Sequence, residues 1–311
     1  MKDVRFLNNK RTDLALEVRE SFEEDDVEIQ GVILEEDYDE ENEIKITRVV
    51  IKDEKGSEAM RKPIGTYITI EAPRISGSDE NYNKPVSKQV ANYIKQLTKG
   101  VENKHVLVAG LGNRNLTADA LGPQVVDHLF VTRHLVKEFG EEFAKRNGME
   151  SMSAISPGVM GQTGMESSEI LKGIIKETKP DLLVVIDALA ARSVSRLNTT
   201  IQITDTGISP GAGVGNNRNA LNKESLGIDV IALGVPTVVD AATIVDDMME
   251  QALRKKGFSE NEVYQFLNEM NTRDTENLFV TPKNIDDAIE RISFTISEAL
   301  NSVFYEMSQE N

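Results

Sequence analysis

Leu182-Leu-Val-Val-Ile186 is apolar at all five positions and runs straight into an acid, Asp187. A strand with one wet face alternates polar and apolar residues. One that does not alternate must be covered on both faces, which is the condition of an inner strand in a parallel sheet. His105-Val-Leu-Val-Ala-Gly110 has the same character. Around these runs the pattern predicts further strands at Ser151–Ile155, Thr199–Thr204 and Ile228–Val235. It predicts helices at Val86–Leu97, from the turn after Gly110 to about Phe139, and over Glu166–Glu177, Ala241–Lys256, Glu260–Asn271 and Lys283–Met307. Strand and helix in alternation give an α/β fold: a mostly parallel sheet with helices on both faces.

Before residue 86 the grain differs. A short helix is expected within Thr12–Ser21. Then Glu28–Leu34, Ile44–Ile51 and Ile64–Ile70 are β-rich, partly alternating and separated by acidic or glycine-containing turns, the pattern of an antiparallel meander. The expected organisation is a smaller β-rich part over 14–85 and an α/β core over 86–311. The acidic runs Glu23–Asp26 and Glu35–Glu43 read as solvated edges and turns.

Composition removes several chemistries. The chain has no cysteine, which excludes disulfides, thiolate nucleophiles and thiolate-bound zinc. Histidine occurs only at His105, His128 and His134, none in a metal-binding spacing, so no metal and no cofactor is expected. A net charge of -17 opposes direct binding to a phosphate backbone. No apolar run approaches a bilayer span, and Met1 to Asn9 lacks the apolar stretch of a signal peptide, so a cytoplasmic chain without membrane contact is expected.

In open α/β sheets, sites form where loops leave the carboxyl ends of strands. Two loops put acids there. Gly110-Leu-Gly-Asn-Arg-Asn-Leu-Thr-Ala-Asp119 carries Asp119 to the start of the next helix, where free N–H groups favour a negative charge; Asp119 reads equally as a plain helix cap. Asp187, after an apolar strand, should be desolvated with its pKa raised, unless it serves only to pair with Arg192. Together they offer a dissymmetric carboxyl pair suited to activating water and protonating a leaving group. Other motifs are weaker. Gly110-x-Gly112 lacks the third glycine of a dinucleotide loop, since Asn115 occupies it. Asp205-Thr-Gly207 is a single triplet where pepsin-like enzymes need two, and reads as a turn. No GxSxG or HExxH sequence occurs.

Several long motifs, in order, resemble the germination protease family. They are Val108–Pro123, Val131–Leu135, Ser156–Gly164, Val185–Ser193, Asp205–Arg218 and Gly234–Asp240. The glycine–aspartate loop is more distantly similar to that of hydrogenase maturation endopeptidases. Those share the α/β core but bind a metal through two acids and a histidine, and no histidine here matches.

The resemblance implies an endopeptidase that degrades small acid-soluble spore proteins early in germination, in the spore core or forespore, with Asp119 and Asp187 as the catalytic carboxyls. It also implies a homotetramer and a zymogen that removes its own N-terminal propeptide, residues 1–13 here. The matching segment is Lys10-Arg-Thr-Asp-Leu-Ala-Leu-Glu17, with the cut expected between Asp13 and Leu14. An Arg such as Arg192 or Arg218, beside an apolar slot, is a candidate for holding the substrate carboxylate. Two alternatives stay open: a metal-dependent maturation-type endopeptidase, which strong chelators would silence, and a non-catalytic binding protein on the same core, which would not process itself.

Overall fold

The structure, a computed structural model, describes residues 12–20, 29–98, 105–214, 218–269 and 278–305. The acidic run Glu23–Asp26 and the first two residues of the segment Lys10–Glu17, Lys10 and Arg11, lie outside them. Among the described residues, nine strands form one sheet: β1 Val32–Asp39, β2 Ile44–Ile51, β3 Gly65–Glu71, β4 His105–Gly110, β5 Ser151–Ile155, β6 Leu182–Ala191, β7 Thr200–Thr204, β8 Asp229–Asp240 and β9 Phe279–Val280. Their spatial order is β1-β2-β3-β7-β8-β6-β4-β5, with β9 beside the end of β8.

The sheet is mixed rather than mostly parallel. Strands β5, β4, β6 and β8 run parallel, whereas β7, β3, β2 and β1 continue the sheet antiparallel. The reversal is at β7. Only residues 192–199 join it to β6, too few for the crossover that a parallel neighbour needs, so the chain turns back. The meander therefore joins the α/β core edge to edge, through β3 and β7.

Both faces of the parallel strands are covered, as their unbroken apolar runs require. On one face Val106, Val108, Val184, Ile186, Ile231 and Leu233 pack under helices Glu80–Leu97, Leu121–Asp127 and Ile285–Phe304 in a core continuous with Ile44, Ile46, Ile68 and Ile70. On the other, Leu107, Ala109, Leu183, Val185 and Val230 meet Leu171 of helix Ser167–Thr178. β1 is the outer edge. Its Glu35, Glu36 and Asp37 are exposed, two of them paired to Arg48 and Lys45 of β2, and a charged edge discourages pairing with another chain.

The long helix expected to reach Phe139 is broken instead. Helix Leu121–Asp127 stops at His128, and a new one spans Arg133–Phe139. Tertiary hydrogen bonds take over the backbone there. Phe130 N–H donates to the Asn301 side chain at 2.9 Å and Thr132 N–H to the Met152 carbonyl at 2.9 Å. His105 has a structural part: its ring contacts the Ser153 hydroxyl at 2.8 Å and the Thr178 carbonyl at 3.2 Å. Among the described residues, no helix is long and apolar enough to cross a membrane.

Candidate active site

The end of β4 is shaped by backbone contact. A Cβ on Gly110 would lie 2.1 Å from the Gly122 carbonyl oxygen, so this glycine allows the helix after the loop to lie directly on the strand. Gly112 has φ 111°, and a Cβ there would meet the Asp119 carbonyl at 2.0 Å. Beyond Gly110 the chain clings to β6, with Leu111 N–H donating to the Ile186 carbonyl at 2.8 Å. The loop is also tied to β8, where the buried Thr237 hydroxyl donates to the Ala118 carbonyl at 2.6 Å.

Asp119 closes a short 3-10 turn, Thr117–Asp119, and does not cap the helix that follows. The cap position is Ala120, which has no side-chain bond to offer. The Asp119 carboxylate instead folds back and accepts the Asn113 N–H at 2.9 Å. Its pKa is raised rather than held down, chiefly by desolvation, against which the Asn113 N–H and the Arg218 charge act. Asp187 does not end its strand. β6 runs on through Ala188-Leu-Ala-Ala191 because β8 accompanies it to Val239, with Asp187 opposite Gly234. Asp187 is 6% exposed and accepts the N–H of its own neighbour, Ala188, at 3.0 Å. Its pKa stands well above the ordinary carboxylate range. Desolvation is the main cause, and the charges of Asp119 and then Asp13 add to it.

The two sequence-predicted acids are thus brought into electrostatic contact, and a third, Asp13, joins them. Arg218 faces Asp119 and Asp187 as the favourable charge, whereas Arg192 turns away to pair with Asp247 at 3.6 Å. The pairing of Arg192 with Asp187 does not form. A metal set of two acids and a histidine does not fit this site: among the described residues, no three His, Asp or Glu side chains are placed to hold an ion. Asp205-Thr-Gly207 is a turn after β7, with the Asp205 carboxylate accepting Thr66 N–H at 2.8 Å.

The segment around Asp13 and Leu14 is docked against the same end of the sheet. Asp13 N–H donates to the Ala190 carbonyl at 3.1 Å, and its carboxylate accepts Ala190 N–H at 2.9 Å. Leu14 is fully buried among Leu189, Ala191, Leu197 and Val239. Helix Ala15–Glu20 is then anchored by Glu17, whose carboxylate accepts the N–H groups of Arg192 and Ser193 at 2.8 and 2.9 Å. Arg196, 8% exposed, reaches Glu17, Glu20 and Glu71.

Sequence reasoning missed two polar residues here, Lys62 and Gln202. Both donate to the Asp13 carbonyl, Lys62 Nζ at 2.8 Å and Gln202 Nε2 at 3.3 Å. They line a cavity of about 240 Å³ with Asp13, Leu189 and Gly234. A larger cavity of about 1330 Å³ lies against helices Glu80–Leu97 and Ile285–Phe304, and neither cavity is lined by Asp119 or Asp187. Gln202 carried a readable signal. In Thr-Ile-Gln-Ile-Thr204 the isoleucines enter the core, so Gln202 must point to the opposite face, where a buried amide needs partners.

Residues 9–262 match the family model described as germination protease. The chain is 49% identical to the germination protease of Caldanaerobacter subterraneus subsp. tengcongensis, covering 94% of this chain and 93% of the relative. It is 46% identical to that of Clostridium perfringens strain 13 (94% of each chain) and 40% identical to that of Bacillus cytotoxicus (97% and 95%). It is also similar, at 19% identity, to the solved [NiFe] hydrogenase maturation protease HycI from Thermococcus kodakarensis KOD1. That match has a TM-score of 0.34 and covers 67% of this chain and 99% of the other.

Proposed function

The chain belongs to the germination protease family, an endopeptidase family that degrades small acid-soluble spore proteins during germination, and we propose that Asp119 and Asp187 are its catalytic carboxyls. The observation that carries this reading is the asymmetry of the pair. Asp187 is buried and its pKa is pushed up by desolvation and by Asp119. Asp119 is less buried, holds a backbone N–H and faces Arg218. Two coupled carboxyls that titrate in separate steps hold one proton between them across a wide pH range. In this assignment ionised Asp119 takes a proton from water, and protonated Asp187 delivers one to the amide nitrogen.

The docked Asp13–Leu14 peptide supports reading the full chain as a zymogen that cuts itself there. Its acid–leucine–alanine order occupies a carboxylate-binding backbone and an apolar slot. A homotetramer follows from the family resemblance and is open to sedimentation analysis. The decisive experiment uses Asp119→Asn and Asp187→Asn, each of which should abolish self-processing and cleavage of spore-protein substrate while far-UV circular dichroism is unchanged. Full activity in either variant overturns the assignment.

A further inference from the structure

We propose that Lys62 and Gln202 form the carbonyl-binding site of this peptidase, polarising the scissile carbonyl and holding the oxyanion that develops on it. The inference rests on Asp13–Leu14 being the bond that is cut, and it deepens that reading. Three observations carry it.

The first is what Lys62 chooses. Burial pushes its pKa down, against which the Asp13 and Glu17 charges act, yet its hydrogen bond goes to the neutral Asp13 carbonyl at 2.8 Å. The Asp13 carboxylate is left to the Ala190 and Gly213 N–H groups, and that of Glu17 to Arg192 N–H, Ser193 N–H, the Thr12 hydroxyl and Arg196. A cation placed on a neutral oxygen is in position for charge that arrives only during reaction.

The second is the orientation of Gln202. Its Oε1 accepts Ala15 N–H at 2.7 Å while Nε2 points at the Asp13 oxygen. One amide therefore spans Leu14, from the Asp13 carbonyl before it to the Ala15 N–H after it, and fixes which end of the amide is the donor. The remaining polar group of that peptide, Leu14 N–H, is held by the Thr12 hydroxyl at 3.0 Å.

The third is register. Gln202 pairs with Gly234 on β8, and Gly234 pairs with Asp187 on β6. The three stand in one cross-strand row, on the face away from Ile201, Ile203 and Ile186. Two strand spacings put the Gln202 and Asp187 backbones about 9–10 Å apart. The residue between them, Gly234, has no side chain, and Leu189 packs over it, its Cδ1 2.4 Å from where a Cβ would stand. The peptide whose oxygen Gln202 grips therefore lies over the sheet face that carries Asp187.

The step balances as ordinary hydrolysis. Water oxygen bonds to the Asp13 carbonyl carbon, one of its protons passes to Asp119, and the C–O electrons collect on the oxygen held by Lys62 and Gln202. The C–N bond to Leu14 then breaks as Asp187 gives its proton to the leaving nitrogen, and the second water proton leaves with the new carboxyl group.

The test is self-processing of the full chain, in which the peptide is already seated, so the first-order rate contains no substrate-binding step. Dilution over a tenfold range confirms that the rate is first order, and sequencing the product reads the cut. Wild type should yield Leu14 as its new N-terminus. Lys62→Met should slow that cut by about 10²–10³-fold, the typical effect of losing one oxyanion donor, with its thermal midpoint close to wild type. Gln202→Glu keeps the acceptor for Ala15 N–H and loses the donor; it should slow the cut at least tenfold and decides the matter if Lys62→Met does not fold. A different N-terminus from wild type overturns the Asp13–Leu14 reading and this proposal with it. A Leu14 product formed at the wild-type rate by a folded variant overturns only the role of Lys62 and Gln202.

Discussion

Gly110→Ala places one methyl group where the structure allows none. The added Cβ would sit 2.1 Å from the Gly122 carbonyl oxygen and 2.4 Å from its carbon, both backbone atoms that no rotamer change can move. Ordinary contact begins near 3.4 Å, so the strand and helix must part by about 1.3 Å at this point, with an overpacking cost of about 1–3 kcal/mol. The displacement does not stay local. The helix is continuous with the turn that presents Asp119, whereas Asp187 is fixed in the middle of β6 between β4 and β8. Parting the two elements moves one carboxyl relative to the other, and a misplacement of about 1 Å costs catalysis on the order of 10²-fold. Gly110→Ala should therefore lower self-processing about 100-fold at a temperature where the variant remains folded, with a thermal midpoint several degrees below wild type. N-terminal sequencing over time measures the first effect and thermal unfolding the second. A variant that is destabilised but processes at full rate would show that the approach of Gly110 to Gly122 serves packing alone. One unchanged in both would show that the backbone yields more easily than the contact distances imply.

Other outcomes follow from charge. The pKa of Asp187 is higher in the folded chain than in the unfolded one, so the folded state binds more protons and stability falls as pH rises from about 4, the ordinary carboxylate value, toward the folded pKa. Asp187→Asn should remove that loss. Its thermal midpoint should exceed wild type at pH 7, with a margin that shrinks as pH falls toward 4; a constant margin would contradict the shift. Arg196→Met leaves Glu17 buried without its cation and should cost about 3–5 kcal/mol, exposing the Ala15–Glu20 helix to limited proteolysis before the rest of the chain. Resistance equal to wild type would mean that Arg192 N–H and Ser193 N–H suffice to hold Glu17.

The strands that frame the site were legible because their signal is local. Five apolar residues before Asp187 can only be an inner strand, and Gly110-x-Gly112 can only be a tight exit from one. Asp187 was placed one residue past the strand because an acid looks like a terminus. What keeps it inside is β8, some forty residues later, which no local pattern contains. The break after Asp127 was hidden for the same reason, since the groups that stop the helix, Asn301 and Met152, are distant in sequence. Lys62 sits in a short polar stretch without a motif, Arg61-Lys-Pro63, and its bond to Asp13 spans 49 residues. Its chemistry comes from a contact and not from a motif.

The proposed cut also changes the charge around the residue that performs it. Before processing, the Asp13 carboxylate adds to Asp119 in pushing the Asp187 pKa upward, and Lys62 is occupied by the Asp13 carbonyl. After processing, Asp13 belongs to a departing segment, and Leu14 begins with an amine whose ordinary pKa is near 8, so it is charged at neutral pH. A carboxylate is lost and a cation gained within a dry region, and both changes pull the Asp187 pKa down. The first turnover and later ones then start from different proton distributions on the same two aspartates. A pH–rate profile for self-processing should consequently extend to higher pH on its Asp187-dependent limb than the profile for cleaving a separate substrate, and coincident limbs would place Asp13 and the new amine too far from Asp187 to matter.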